Sequence, residues 1–575
     1  MIRNIKKIKL KIDCNMILLC LIVVLTLFRI YLAVKLPLFL QADAKFDDFL
    51  LIDYAKNIIE GQWLGKFCST TLAKGISFPL FIALNHLLGI PYSLGLIILY
   101  IFGICLFIVA IRNHIKNKFY LTSTYILLLY SPVMFHIENT QKIYRGGVIV
   151  SLSLVVISLM ICIYNNVSEK LRKLFIYSFL ASLALPFFYY LKEDSMWILP
   201  FVLGSIVLSS INIIKNKKIK YRKTRLFFVV MPVVALILSS ILYCSINYIY
   251  YGEYTITDRN GTYFKEVMAD IIKIDEKKEI KDVWITKKMM YKAIDNSKTL
   301  KSVKKEIDNM YKGTSWGVTK KGEIEGDIII WAFRDAIAKA GIYKKGGKKV
   351  NLFYKKIDKE LDEAFEKGTL KEDTDNKIYL SSIACGFTKD DLLRYYSDTS
   401  KEAIMTIVTY NENETSVNVA TGPNEDIILM DYLTKSQTVW PYELAKQKRM
   451  YKSTVNTINK IVDVYKITGL PIFIIGTLGL ITFTIDIIKE IRNKKYESIS
   501  TWLVLFGMIN TCIVLLIGVL WFCSCFNNSI MRHVYNYTCG IIPIIQIIEI
   551  TGVYFAVKEI YSIINRIKLK KECKK

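Results

Sequence analysis

The chain has 575 residues, 53% of them hydrophobic, and its lysines and arginines outnumber its acids by 27. Together with a mean hydropathy of +0.33, this excludes an ordinary soluble globular protein. The charge suggests nucleic acid only until its distribution along the chain is followed.

Apolar windows of about 18–25 residues recur, long enough to cross a hydrocarbon core of roughly 30 Å. They predict about ten transmembrane helices, at 15–36, 92–111, 119–136, 143–164, 173–191, 195–214, 226–250, 461–488, 500–524 and 537–557. The first lacks a small-residue cleavage site and runs on into Arg29, Tyr31 and Lys35, so it reads as an uncleaved helix. Alternating crossings leave the amino terminus, 112–118, 165–173, 215–225, 489–497 and the carboxyl tail on one side. Those segments hold 29 basic side chains against 6 acidic ones, so +23 of the formal +27 lies there. Such a bias marks the cytoplasmic face and predicts that both termini are inside. The charge is therefore topological, with some attraction to anionic lipid, and does not point to nucleic acid.

Three parts follow. Residues 1–250 form a seven-span block with short loops, apart from an external loop at 37–91. Residues 251–458 are a polar insert between spans seven and eight, which the charge rule puts outside, and 459–575 form a three-span block with a basic cytoplasmic tail. The expected fold class is an all-α polytopic membrane protein with an α-rich external domain. In the insert, Gly326–Gly341 and Lys348–Gly368 carry apolar residues at helical spacing and end at glycine. Ile404–Tyr410 reads as a short β element, and Tyr442–Ile467 as a helix continuing into span eight. The twelve cysteines contain no C-x-x-C pair and no zinc spacing, and read as small apolar residues.

The chemistry-bearing residues collect in the external loops. In the first, Asp48 starts an apolar periodicity (Leu51/Ile52, Ala55, Ile58/Ile59) that closes at Gly61. This predicts a helix lying on the membrane surface, capped by Asp47 or Asp48. Capping calls for one aspartate, not two. Lys74-Gly75 precedes Ser77-Phe78-Pro79, so a lysine stands near headgroup level beside a helix start, which suits a lipid phosphate as well as a snorkelling lysine. The second loop concentrates His136, Glu138, Lys142 and Arg145. Arg145 offers bidentate phosphate recognition, and Gly146-Gly147 permits close backbone approach. The third holds Lys192, Glu193 and Asp194, bracketed by Tyr189, Tyr190 and Trp197, which read as interfacial belt residues. Arg532-His533 stands near the start of the last span. These acids and bases suggest a polar cavity at the outer leaflet, with a set of helix caps as the competing reading.

The layout over roughly 37–200 resembles the GT-C glycosyltransferases, the superfamily of protein O-mannosyltransferases and lipid A aminoarabinose transferases (family 39-like). Asp47/Asp48 match its acidic pair, Asp53–Trp63 its surface helix, and Lys74 with Pro79 its Lys-Pro helix entry. Glu138 stands where members carry a second acid, and Arg145 and Arg532 where they carry phosphate-binding arginines. Glu193 and Asp194 are further acids facing the same compartment. The family's Asp-Glu is Asp-Asp here, and its Lys-Pro-Pro-like stretch is Lys-Gly-Ile-Ser-Phe-Pro. The resemblance implies an inverting transfer of a sugar from a polyprenyl-phosphate carrier to a glycan, lipid or protein at the outer face of a bacterial cell membrane. An aspartate would act as base, with Asp48 favoured because it begins the helix and Asp47 as the alternative or a metal ligand. Lys74 and the arginines, with a divalent metal admitted, would stabilise the departing phosphate. Two other classes fit parts of the chain: a receptor or assembly protein whose insert binds an envelope ligand, and a transporter of lipid-linked sugars.

Overall fold

In the computed structural model the described residues are 14–259, 261–276, 282–313, 316–375, 377–379, 381–384, 386–524 and 530–572. The first block contains α1 (Cys14–Lys35), α2 (Asp48–Ile59), α3 (Ser77–Leu87), α4 (Tyr92–Ile111), α5 (Lys118–Leu129), α6 (Ile137–Thr140), α7 (Gly146–Asn166), α8 (Leu171–Tyr189), α9 (Leu199–Lys215) and α10 (Arg222–Tyr251). The polar insert carries α11 (Tyr263–Lys273), α12 (Lys287–Asn296), α13 (Lys298–Lys301), α14 (Lys304–Met310), α15 (Ile328–Lys339), α16 (Gly347–Glu366), α17 (Lys389–Thr409) and α18 (Asn424–Thr434). The chain closes with α19 (Leu444–Arg492), α20 (Ile499–Cys523), α21 (Ile530–Thr538) and α22 (Ile542–Glu572). Among the described residues the only sheet pairs Lys377–Ile378 with Phe387–Thr388. The protein is an all-α, multi-pass membrane protein, with nine helices long and apolar enough to span among the described residues.

The window expected as a tenth continuous span, 119–136, is broken. Pro132 cannot donate to the helix ladder and drives Ser131 out of helical conformation, so α5 stops at Leu129 and a single 3-10 turn follows at Pro132–Met134. Arg29 of α1 makes the break tolerable: its guanidinium donates to the carbonyls of Leu129 (3.1 Å) and Met134 (2.6 Å). Irregular backbone at this depth survives only where protein satisfies it. The chain still traverses here. Helices α4 and α7 run parallel, with Tyr92 bonded to the Tyr144 carbonyl at one end and His114 to Asn165 at the other, so residues 112–145 must return across the bundle.

Two helices in the last block cross without room for side chains. A Cβ on Gly479 would lie 1.9 Å from the Gly552 carbonyl, and Phe483 stacks on Phe555 at 3.8 Å. Small residues let membrane helices approach this closely. Helix α19 has 49 residues. At 1.5 Å per residue it is roughly 74 Å long, more than twice a membrane core, so its first turns project beyond the bundle as the sequence predicts.

The insert is helical, and α15 and α16 lie where the periodicity puts them, followed by Gly341 and Gly368 at φ +79° and +72°. Ile404–Tyr410 does not form a β element. It is the end of α17, whose Ala403 and Ile407, four residues apart, are buried as the helix packs on α19 and α21. Tertiary burial of that stripe overrides its β-branched composition. The insert is also less separate than its composition suggests. One apolar core spans residues 264–387, while α17 and α18 lie back on the rest of the chain, α18 against α2 and α3.

Candidate functional site

The first loop is framed before it reaches its charged residues. Segment 38–42 lies between two others: the amide of Phe39 donates to the Gln141 carbonyl (3.0 Å) and that of Ala42 to the Thr421 carbonyl (2.8 Å). This fixes the second loop and the end of the insert on either side of the turn into α2. That helix does not lie on a lipid surface. Leu50, Leu51, Ile52, Tyr54 and Ala55 are all buried within the chain against α3 and α18, because the insert covers the face that composition alone would give to lipid.

Asp47 occupies the N-cap position, yet its side chain makes no cap hydrogen bond. Its Oδ1 instead accepts from Lys74 Nζ at 2.6 Å and from the Tyr144 hydroxyl at 2.7 Å. Arg145 donates to that hydroxyl (2.7 Å) and to Glu193 Oε2 (2.9 Å). Glu193 Oε1 accepts the amide of Gly75 at 3.1 Å. The Lys74-Gly75 turn is pressed against the third loop: a Cβ on Gly75 would stand 2.3 Å from the Tyr190 carbonyl. Only glycine permits that approach. Asp48, in the first turn of α2, points the other way, 3.2 Å from Lys142 Nζ, which also lies 3.5 Å from Glu138.

The two aspartates therefore differ. Asp47 is half-exposed, and Asp48 is only 1% exposed. Burial pushes the Asp48 carboxyl up, against Lys142 and with help from the adjacent Asp47, to about 6. Burial also raises Asp47, but Lys74 and Arg145, with the two hydrogen bonds, outweigh it and hold the group below its ordinary value. Glu193 is likewise held below the carboxylate range, its burial overcome by Arg145, Lys74 and Arg259. Burial and Arg145 lower the Lys74 ammonium despite Asp47 and Glu193.

The structure thus joins Asp47, Asp48, Lys74, Glu138, Lys142, Arg145 and Glu193 at one end of the bundle. Asp194 is held by Lys192 (2.8 Å), whose ammonium lies 4.2 Å over the Tyr537 ring. The backbone of Arg532 lies in α21, and its side chain falls outside the described residues, as does that of His533. His136 packs on Tyr535 with ring centres 5.2 Å apart. Gly146 and Gly147 approach Asn139, whose side-chain oxygen and backbone carbonyl would lie 2.3 and 2.2 Å from added Cβ atoms, so their close contact is internal to the fold. Tyr190 and Trp197 are buried in the protein, not belt residues at a lipid interface. Among the described residues no three His, Cys, Asp or Glu side chains are disposed to hold a metal ion. Asp47 and Asp48 are each engaged by a lysine.

The insert also contributes. Trp331 of α15 lies under three cations, with Lys74, Arg259 and Arg334 at 5.5, 4.8 and 5.6 Å from its ring centre. Phe46 stands between Trp331 and Trp316, at 5.7 and 5.0 Å. Sequence reading missed these rings, since nothing in their own segment distinguishes them from core aromatics. No family model, curated protein or solved structure matches the chain.

Proposed function

We propose that this chain is an integral-membrane, inverting glycosyltransferase of GT-C type, moving a sugar from a polyprenyl-phosphate carrier to an acceptor at the outer face of the membrane. The observation that carries the reading is Asp47: a half-exposed carboxylate with one oxygen held by Lys74 and Tyr144, next to a buried Arg145. A base must reach a substrate proton. Asp48, enclosed with Lys142, is less suited to that than to holding the start of α2. Asp47 is therefore assigned as the base and Asp48 as a positioning residue.

In this mechanism the acceptor oxygen attacks the anomeric carbon while its proton passes to Asp47. The bond from that carbon to the phosphate oxygen breaks, and the electron pair leaves with polyprenyl phosphate. Lys74 and Arg145 stabilise the charge that develops there, and Arg532 is assigned to the same task from its place in the chain. Each of the two cations seen already holds a carboxylate, so phosphate entry exchanges partners within a closed network. Trp331 and Phe46 supply apolar faces beside it.

The test is chemical. Purified protein in nanodiscs is given polyprenyl phosphates carrying different labelled sugars, with envelope glycans, lipids and proteins as acceptors. Sugar transfer with inverted anomeric configuration, and equimolar release of polyprenyl phosphate, are expected for one pairing. Carrier binding with no release across the whole panel would favour a receptor or transporter instead.

A further inference from the structure

A cavity with a mostly apolar lining and a few polar groups lies where the insert meets the first loop. Phe67, Glu253, Asp258, Tyr343, Asn351 and Tyr354 bound it, and its free volume is about 30 Å³, room for about two water-sized particles. Glu253 is 8% exposed, and its Oε1 is buried with no hydrogen-bond partner among the described residues, as is the Asn351 side-chain oxygen. Asp258 is matched by Arg334 at 2.7 Å. Arg259 is turned toward Asp327 (3.9 Å) and the Trp331 ring. Arg334 thus answers Asp258, and among the described residues no ion pair answers Glu253.

A buried carboxylate in that position takes either a proton or a cation. Two features favour a cation. The unpartnered atoms of Glu253 and Asn351 are both acceptors, so they call for a ligand that is positive or donates hydrogen bonds. The rings of Phe67 and Tyr343, which line the cavity, supply aromatic surface that attracts cations which shed water readily. The volume admits one potassium or ammonium ion and excludes a bulky organic cation. We infer that the Glu253 cavity binds a monovalent cation of water's size, which completes the joint between insert and first loop. The site stands whether or not the chain transfers sugar.

The full-length protein in detergent is melted in potassium, ammonium or N-methylglucamine chloride at equal ionic strength. The pH is kept above the range of Glu253, whose carboxyl is pushed up to about 7 by burial and by Asp258. The melting temperature is expected to be about 2 °C higher in the two small cations. Glu253→Gln, equal in size, should abolish the difference, and Asn351→Asp, which adds a charge at no cost in volume, should enlarge it. Identical melting of the parent in all three salts, or a small-cation effect that survives in Glu253→Gln, would overturn the site.

Discussion

At the first-loop end of the bundle, Arg145 is 4% exposed and bonded to Glu193 at 2.9 Å. At the opposite end, Lys489 also pairs with a carboxylate, Asp486, at 3.0 Å, but both side chains are half or more exposed. The distances are nearly equal and the physics is not. Water and salt screen the second pair to little value. The first was taken out of water with Tyr144 and Gly75 arranged around it, so losing one member strands a charge. Lysines 215, 217, 218, 220 and 223 continue the pattern of the second end, exposed at the helix ends, where charge serves orientation. Cations at the first-loop end are built into a site.

The comparison breaks most completely through topology. A single cysteine at Lys359, on the insert, should be labelled by an impermeant reagent in intact cells, and one at Lys217 should not. The reverse pattern would place Asp47 in the cytoplasm and remove the transferase reading. Next in size is stability. Arg145→Ala should cost about 3–5 kcal/mol in detergent melts, whereas Lys489→Ala should stay within about 0.5 kcal/mol. Equal effects would mean that the buried network is as well screened as the exposed pair.

A smaller effect should appear with pH. Because the Asp48 carboxyl is raised from 3.8 to about 6, the folded chain holds a proton in that interval that the unfolded chain has released. Its contribution is present below the unfolded value and lost as pH rises through that interval, which it lowers by up to about 3 kcal/mol. Asp48→Asn should remove this fall, so the variant gains on the parent as pH rises to neutrality. Asp47, held low, works in the opposite direction, its stabilisation lost on acidification. An Asp48→Asn profile parallel to the parent's would contradict the assigned burial.

Much of this architecture was legible in the sequence. Helices α15 and α16 follow from apolar spacing and closing glycines, and the long α19 from a polar helical run that continues into an apolar span past Pro471. The loop residues Asp47, Lys74, Arg145 and Glu193 were readable as a group, because charges in loops between apolar helices have few places to go. Four things were hidden. The break that Pro132 makes after α5 is tolerated because Arg29, 100 residues before Leu129 in sequence, caps carbonyls that hydropathy cannot see. The burial of α2 depends on α18 folding back over it. Its own periodicity fits lipid equally well. Trp331 reaches the site only through packing of the insert, and Asp47 and Asp48, adjacent in sequence, differ in exposure and in partners.

That last difference gives the most direct measurement: the rate of sugar transfer by Asp47→Asn and Asp48→Asn proteins, each checked for retained folding and carrier binding. Asp47→Asn should fall by about 10²–10⁴-fold, the contribution of a positioned general base, while Asp48→Asn retains carrier binding and loses far less. If Asp47→Asn transferred sugar within a few-fold of the parent, the half-exposed aspartate would be a partner for Lys74 and no more, and the proposed mechanism would be wrong.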